Sequence, residues 1–225
     1  MKKLAIAVLS LIFLATVPLI AHADTIGTIG TFTLTNGGSC CSPGPFGTIT
    51  LTQTAAGVVT VMETLAPNEY FVGTGAGDSL GFNVKPADGA LTIGNITAGF
   101  HNVGSDSLSP FGSFLEAVTC DDPASCHGGQ TSNIVGPLSF TVTSALGVNV
   151  SDFIVNGGGY YFASDIFLGN ITTGVGNTGN VASIGGTFTT PTPTPEPSSL
   201  MLLGTGIVGG VGMMRRKILS ALANR

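Results

Sequence analysis

The sequence predicts an all-β protein whose main part is a single antiparallel β-sandwich. In several segments apolar residues alternate one by one with threonine or serine, and Val, Ile, Thr and Phe predominate there. Such a period of two is typical of strands with one buried and one exposed face. Clusters of Gly, Pro, Asn and Asp separate these segments and indicate turns. About ten strands at this spacing favour a sandwich.

The alternation is clearest in four predicted strands. Their apolar positions are Phe32 and Leu34, Ile49 and Leu51, Leu80, Phe82 and Val84, and Leu138, Phe140 and Val142. Residues 30–35, 47–52 and 186–190 also resemble one another, because each begins with Gly-Thr and continues with threonine at alternate positions. Threonine is favoured on an exposed pleated surface. Two or three such rows on one flat face could order water or bind a regular surface such as ice or a crystalline glycan.

The N-terminus carries the three parts of a secretory signal peptide. Two lysines precede the apolar stretch 4–20, and Ala21 and Ala23 complete an A-x-A cleavage site. We therefore expect residues 1–23 to be removed on export across the inner membrane. Residues 24–188 are then the predicted extracellular β-sandwich domain.

The C-terminus has the pattern of a membrane anchor. Residues 189–194 form a Pro- and Thr-rich linker, and residues 198–214 contain no charged side chain. Proline fixes φ and removes a backbone donor, so the linker is expected to be extended. As a helix, the uncharged segment would span about 25 Å, the lower limit for crossing a bilayer. The basic cluster Arg215, Arg216 and Lys217 predicts a cytoplasmic C-terminus, with the domain outside.

The tripeptide Pro195-Glu196-Pro197 stands directly before the uncharged segment. The order of this tripeptide, a Gly-rich apolar helix and a basic cluster resembles the PEP-CTERM sorting signal, which occurs on exported proteins of bacteria that make extracellular polysaccharide. The resemblance is confined to residues 195–225. It implies transient anchoring in the membrane, then cleavage near the tripeptide by an exosortase, a membrane-embedded transpeptidase. The protein would then be released or attached at the cell surface.

The charge distribution argues against nucleic acid as a partner. Lys85 is the only Lys or Arg between residues 24 and 214, whereas all twelve acidic residues lie in that stretch, which gives it a net charge of −11. A surface this acidic repels phosphate backbones and anionic lipid headgroups. We therefore expect contact with the membrane only through the C-terminal helix, before processing.

The four cysteines fit an oxidising compartment. Cys40 and Cys41 are adjacent in the chain, and Cys120 and Cys126 lie close together farther on. A bridge between neighbouring cysteines is strained, so we expect two bridges that join the Cys40-Cys41 turn to the loop around residues 120–126. The alternative is one local bridge between Cys120 and Cys126, with two free thiols.

No cofactor is expected from the sequence. Residues 120–127, Cys-Asp-Asp-Pro-Ala-Ser-Cys-His, lack the spacing of a zinc finger and are better explained as a disulfide-closed loop. Calcium stays open, because carboxylates in turn-like stretches could converge on it, although no EF-hand or other calcium-loop signature occurs. These carboxylates belong to Asp78, Asp88, Asp106, Asp121 and Asp122.

No catalytic site is expected either. A glycoside hydrolase needs two carboxyl groups that flank one bond, and the sequence does not place any two of Glu63, Glu69 and Glu116 together. The Tyr-Tyr-Phe run at residues 160–162 could stack on a sugar ring. Alternating aromatic residues of this kind more often pack in a core or at a sheet edge.

These observations favour a non-enzymatic, structural or adhesive protein of an extracellular polysaccharide matrix, such as a biofilm. One alternative is a carbohydrate-binding module, with or without calcium. A secreted hydrolase is the third hypothesis. The expected partners are an exosortase and extracellular polysaccharide.

Overall fold

The computed structural model describes the β-rich part of the chain. The described residues are 25–38, 40–41, 44–73, 77–85, 89–120, 126, 136–170 and 175–191. Outside them lie the predicted signal peptide and helix 198–214, together with Ala21, Ala23, Pro195, Glu196, Pro197, Arg215, Arg216 and Lys217. Within the described part, no helix is long and apolar enough to span a membrane.

Strands dominate the described part of the chain. They are β1 Ile29–Leu34, β2 Gly47–Ala55, β3 Val58–Leu65, β4 Glu69–Phe71, β5 Leu80–Val84, β6 Leu91–Gly94, β7 Phe100–Leu108, β8 Gly112–Cys120, β9 Leu138–Ser144, β10 Phe153–Ile154, β11 Phe162–Asn170, β12 Val175–Ser183 and β13 Gly186–Thr189. A single 3-10 turn, Val150–Asp152, precedes β10.

The strands form two antiparallel sheets. The first sheet has six strands in the order β13-β1-β2-β3-β9-β6. The second runs β12-β11-β5-β8-β7, with β4 beside β11 and β10 beside β5. The prediction of an all-β, antiparallel fold is confirmed, and the four clearest predicted strands correspond to β1, β2, β5 and β9.

One core contains buried side chains from both sheets, as expected for a sandwich. The inward positions of the four predicted strands are almost completely buried. Phenylalanine rings link the sheets: Phe82 of the second sheet stacks on Phe140 of the first, with ring centroids 5.5 Å apart. Phe32 makes an edge contact with Phe162 at 4.9 Å. These contacts explain why apolar residues recur at every second position.

A smaller apolar cluster covers the other face of the second sheet. Phe111 and Phe114 pack there against Ala163 and Ala182, and Tyr160 borders them. As a result β11 is buried on both faces from its first residue to Phe167. A strand of this kind shows no alternation in the sequence.

The disulfide pairing differs from the expected one. The bridges are Cys40–Cys41 and Cys120–Cys126, and no cysteine is free. Cys120 ends β8, whereas Cys40 packs on β12, and β5 and β11 lie between these two strands. Three strand spacings amount to about 14 Å, beyond the Cα separation of about 7 Å that a disulfide can span. The long-range bridges are therefore replaced by two local ones.

Candidate functional site

The outer face of the first sheet carries a regular array of hydroxyl groups, here called the threonine face. Threonines stand opposite each other on neighbouring strands, as in the pairs Thr31–Thr50, Thr52–Thr60 and Thr60–Thr141. Its hydroxyl-bearing residues are Thr31, Thr33, Thr48, Thr50, Thr52, Thr60, Thr64, Thr92, Ser139, Thr141, Thr143, Thr187 and Thr189. The array extends over all six strands.

The three similar segments of the sequence form one end of this array. They belong to β13, β1 and β2, which are neighbours in the sheet, with Thr187 opposite Thr31 and Thr31 opposite Thr50. The three threonine rows, which the sequence raised only as a possibility, do lie side by side on one face. The contributions of β3, β9 and β6 were missed, although their threonines also alternate with apolar residues.

The threonine face has a repeating geometry and no charge. Hydroxyl groups recur about every 4.7–4.9 Å across the strands and about every 6.6–6.8 Å along them. The outward positions that lack a hydroxyl are occupied by Ile29, Val58, Met62 and Gly94. Near one edge, the Thr141 hydroxyl donates to the Gly94 carbonyl over 3.0 Å. The face can therefore offer methyl groups and hydroxyl groups in rows to a regular partner.

A cleft lies beside the Cys40–Cys41 bridge, and we call it the cysteine cleft. Its volume is about 480 Å³, within the range of small-molecule sites. Residues from the β1–β2 connection, β4, β11 and β12 line it: Cys40, Cys41, Gly44, Pro45, Phe46, Glu69, Leu168 and Asn177. Apolar and polar groups are both present on its walls.

Local backbone contacts fix the disulfide turn that forms one wall. The Cys40 amide donates to the Gly37 carbonyl over 3.2 Å, and the Asn36 side chain accepts from the Gly38 amide at 3.2 Å. Cys40 lies directly on Gly179 of β12, where a Cβ atom would come within 2.5 Å of the Cys40 Cβ. A residue larger than glycine at position 179 would therefore displace the turn.

Glu69 provides the carboxyl group of the cysteine cleft. It stands opposite Leu168 in the β4–β11 ladder, and its Oε2 atom is buried without a hydrogen-bond partner. Burial raises the pKa of Glu69 to about 7, and a hydrogen bond from the Ala66 backbone lowers it in part. Glu69 also borders a second cavity of about 330 Å³, which Tyr70 and Pro137 help to line.

The three glutamates considered for hydrolysis do not share a cavity. Glu63 of β3 points into the core and is completely buried, so it cannot touch a substrate. Burial raises its pKa to about 8, and Ser164 of the facing sheet lowers it only in part. The Ser164 hydroxyl donates to the Ser79 carbonyl over 2.7 Å. Glu116 lies on β8, and burial raises its pKa as well.

Two of the aspartates considered for calcium lie together near the second sheet. Burial and the neighbouring Asp106 carboxyl raise the pKa of Asp78 to about 6, whereas Thr119 and His101 lower it. The Asp78 carbonyl accepts a hydrogen bond from the Asp165 amide at 2.9 Å. Among the described residues, no group of three or more His, Cys, Asp or Glu side chains could hold a metal ion. Asp88, Asp121 and Asp122 lie outside the described residues.

The aromatic run at residues 160–162 is used for packing. Phe162 lies in the core, and Tyr161 packs on Phe32 with ring centroids 5.0 Å apart. Tyr160 makes an edge contact with Phe111 at 4.9 Å. The interpretation of these rings as packing residues is confirmed, and they do not form a stacking platform.

Comparison with known proteins identifies the C-terminal segment. A family model described as the PEP-CTERM protein-sorting motif matches residues 193–217, which include Pro195, Glu196, Pro197, Arg215, Arg216 and Lys217. No curated protein and no solved structure matches the chain. The motif implies export, transient anchoring in the membrane and processing by an exosortase. The chain therefore carries at its C-terminus the PEP-CTERM sorting motif that the sequence predicts.

Proposed function

We propose that the domain is a non-enzymatic, structural or adhesive protein of the extracellular polysaccharide matrix, and that it adheres through the threonine face. The observation that carries this proposal is the in-register array of hydroxyl groups across a six-stranded sheet. Exosortase sorting would deliver this face to the cell surface, and sorting signals of this kind occur on exported proteins of bacteria that make extracellular polysaccharide.

The chemistry of threonine suits an ordered polysaccharide. Each side chain offers a methyl group for the C–H surface of a sugar ring and a hydroxyl group that can donate and accept hydrogen bonds. A polymer with a regular repeat can engage many of these side chains at once. Because every contact after the first is intramolecular, many weak contacts add up to firm adhesion.

The charge of the domain favours a neutral polymer. The threonine face carries no ionised group, while residues 24–214 as a whole have a net charge of −11. Lys85, the only Lys or Arg of that stretch, is already paired with Asp152 over 2.9 Å. An anionic polymer would be repelled at long range. A neutral polysaccharide is not repelled.

The three glutamates considered for hydrolysis do not line a common cavity among those described. Of the three cavities described, at the Cys40–Cys41 turn, beside Tyr70 and between β1 and β13, none is lined by two carboxyl groups. Glycoside hydrolysis by the common mechanism needs such a pair.

Adsorption to an insoluble polysaccharide tests the proposal. The intact protein in detergent is mixed with microcrystalline cellulose, a neutral polymer, and the bound fraction is measured after centrifugation. A variant with Thr31→Lys and Thr50→Lys places two charges opposite each other on β1 and β2 of the threonine face. Because burying an unpaired charge is costly, we expect its affinity to fall by at least about tenfold.

A matched variant separates this effect from a general effect of charge. Ser105→Lys with Ser107→Lys adds the same two charges to β7, at exposed positions of the other sheet, and should leave adsorption unchanged. Equal adsorption of the Thr31/Thr50 variant and the wild type would contradict the proposal. Binding of the wild type to an insoluble polyuronate but not to cellulose would also contradict it.

A further inference from the structure

The cysteine cleft combines an apolar wall with an unsatisfied polar group. The Cys40–Cys41 bridge, Phe46 and Leu168 supply apolar, polarisable surface. The Glu69 Oε2 atom, opposite them, is buried and has no hydrogen-bond partner. A carboxyl group that lines a cleft and has an unpaired oxygen can accept a hydrogen bond from a ligand.

Asn177 adds a second polar group to the cleft. It lies on β12 at an exposed position, and its amide can donate and accept hydrogen bonds. A ligand that fills the cleft must therefore bring hydroxyl groups or similar donors for Glu69. For Asn177 it must bring groups that can both donate and accept hydrogen bonds. It must also bring an apolar surface for the disulfide wall.

We propose that the cysteine cleft is a second carbohydrate site, separate from the threonine face, which binds one neutral sugar ring of a soluble or branch-end glycan. A sugar ring has an apolar C–H face that would lie against the Cys40–Cys41 bridge and Phe46. Its hydroxyl groups would donate to Glu69 and exchange hydrogen bonds with Asn177. The cleft volume of about 480 Å³ accommodates a ligand of this size.

The charge of the cleft selects among sugars. Uronic acids and phosphorylated sugars would place an anion beside the Glu69 carboxylate. No basic side chain is present to compensate, since none of the lining residues is Lys, Arg or His. The site is therefore specific for neutral rings and differs from the threonine face, which requires an extended polymer.

Titration of soluble sugars into the intact protein in detergent tests the site. The probes are the neutral disaccharides cellobiose and maltose, with glucuronic acid as the charged control, and binding is followed by calorimetry. We expect saturable binding of at least one neutral disaccharide and none of glucuronic acid. Glu69→Ala should weaken that binding by at least about tenfold, because a buried sugar hydroxyl loses its partner.

The pH dependence of binding identifies Glu69 itself. The carboxylate accepts a stronger, charge-assisted hydrogen bond than the neutral acid, so wild-type affinity should rise as the pH increases through about 7. Glu69→Gln should bind with an affinity that is flat over the same range. No other lining residue ionises there, since Cys40 and Cys41 are bonded to each other and the rest are Gly, Pro, Phe, Leu and Asn.

Two controls keep this site distinct from the threonine face. The variant with Thr31→Lys and Thr50→Lys should retain sugar titration while it loses adsorption to cellulose, and Glu69→Ala should show the reverse. Thermal melting of each variant verifies that it is folded. Absence of saturable binding by either disaccharide would overturn the cleft proposal even if cellulose adsorption is found. Wild-type affinity in folded Glu69→Ala would overturn it as well.

Discussion

At the scale of single residues, Glu63 is the clearest case of an ionisable side chain in an apolar environment. It follows Val59 and Val61 at the same spacing along β3, so alternation alone places it in the core. The structure confirms this position and leaves its side chain fully buried. The sequence could not show how deeply it is enclosed, because that depends on β11 of the facing sheet.

Glu63 should make stability depend on pH. Between its ordinary pKa of 4.5 and the folded-state value of about 8, the unfolded chain releases the Glu63 proton while the folded chain keeps it. The free energy of unfolding therefore decreases as the pH rises through this window. Glu63→Gln cannot ionise, so we expect it to be more stable than the wild type at about pH 8, by on the order of a few kcal/mol.

Urea unfolding of both proteins at several pH values checks this prediction. At about pH 3.5 the two midpoints should lie closest together, since the wild-type side chain is then mostly neutral in both states, and they should separate as the pH increases. Other carboxyl groups with raised pKa values, such as Glu69 and Asp78, affect both proteins alike. A constant difference between the two proteins at every pH would show that folding does not raise the pKa of Glu63, and would contradict the prediction.

At the scale of elements, the sequence predicted where strands occur better than it predicted which strands pair with one another. β1, β2 and β9 show clear alternation because each has one buried apolar face and one partly exposed face. β5 is buried along its whole length and alternates only because Gly81 and Asn83 occupy its outward positions. The pairing of β13 with β1 joins the two ends of the domain, and no local pattern specifies such a contact. β11 was not among the clearly predicted strands, because apolar and polar residues are mixed on both of its buried faces.

The disulfides illustrate the same limit. The spacing of the four cysteines along the chain allowed several disulfide pairings. Bridges between the two cysteine pairs are excluded because β11 and β5 separate the strands against which these pairs lie. Glu69 and Asn177 of the cysteine cleft are also far apart in sequence. Neither residue type signals a site by itself, so the cleft could not be predicted from the sequence.

Asn156 holds together the loop and turn that cover the outer face of the second sheet. Its amide donates to the Phe111 carbonyl over 2.9 Å and to the Ser113 carbonyl over 3.3 Å. Its side-chain oxygen accepts from the Gly158 and Tyr160 amides, at 2.9 and 3.1 Å. The residue is buried, so the loss of these bonds would leave several polar groups without partners.

We expect Asn156→Ala to lower the free energy of unfolding by about 2–4 kcal/mol, the combined contribution of these bonds. Urea denaturation of the variant and the wild type measures this change in the free energy of unfolding. Asn102→Ala is a suitable control, because Asn102 is exposed and its side chain accepts only one backbone hydrogen bond, from Gly104 at 3.0 Å. That variant should change stability by less than about 1 kcal/mol. Equal effects of the two substitutions would contradict the role given to Asn156.

At the scale of the whole molecule, the chain combines a sorting motif with a domain suited to a neutral matrix. The PEP-CTERM motif at residues 193–217 was recognisable in the sequence because its three parts occur in a fixed order. The threonine face was only partly predictable, since its size depends on the register of all six strands. The chain thus carries a sorting motif at its C-terminus and a charge-free, hydroxyl-rich sheet face in its described part.

The identity of the C-terminus of the protein in the polysaccharide matrix tests this account most directly. Mass spectrometry of peptides from the matrix and membrane fractions of the native cells would determine it. We expect the matrix-bound form to end near Pro197 and to lack residues 198–225, because exosortase processing precedes adhesion to the matrix. A protein found only in the membrane fraction, with its sequence intact through Arg225, would contradict the account.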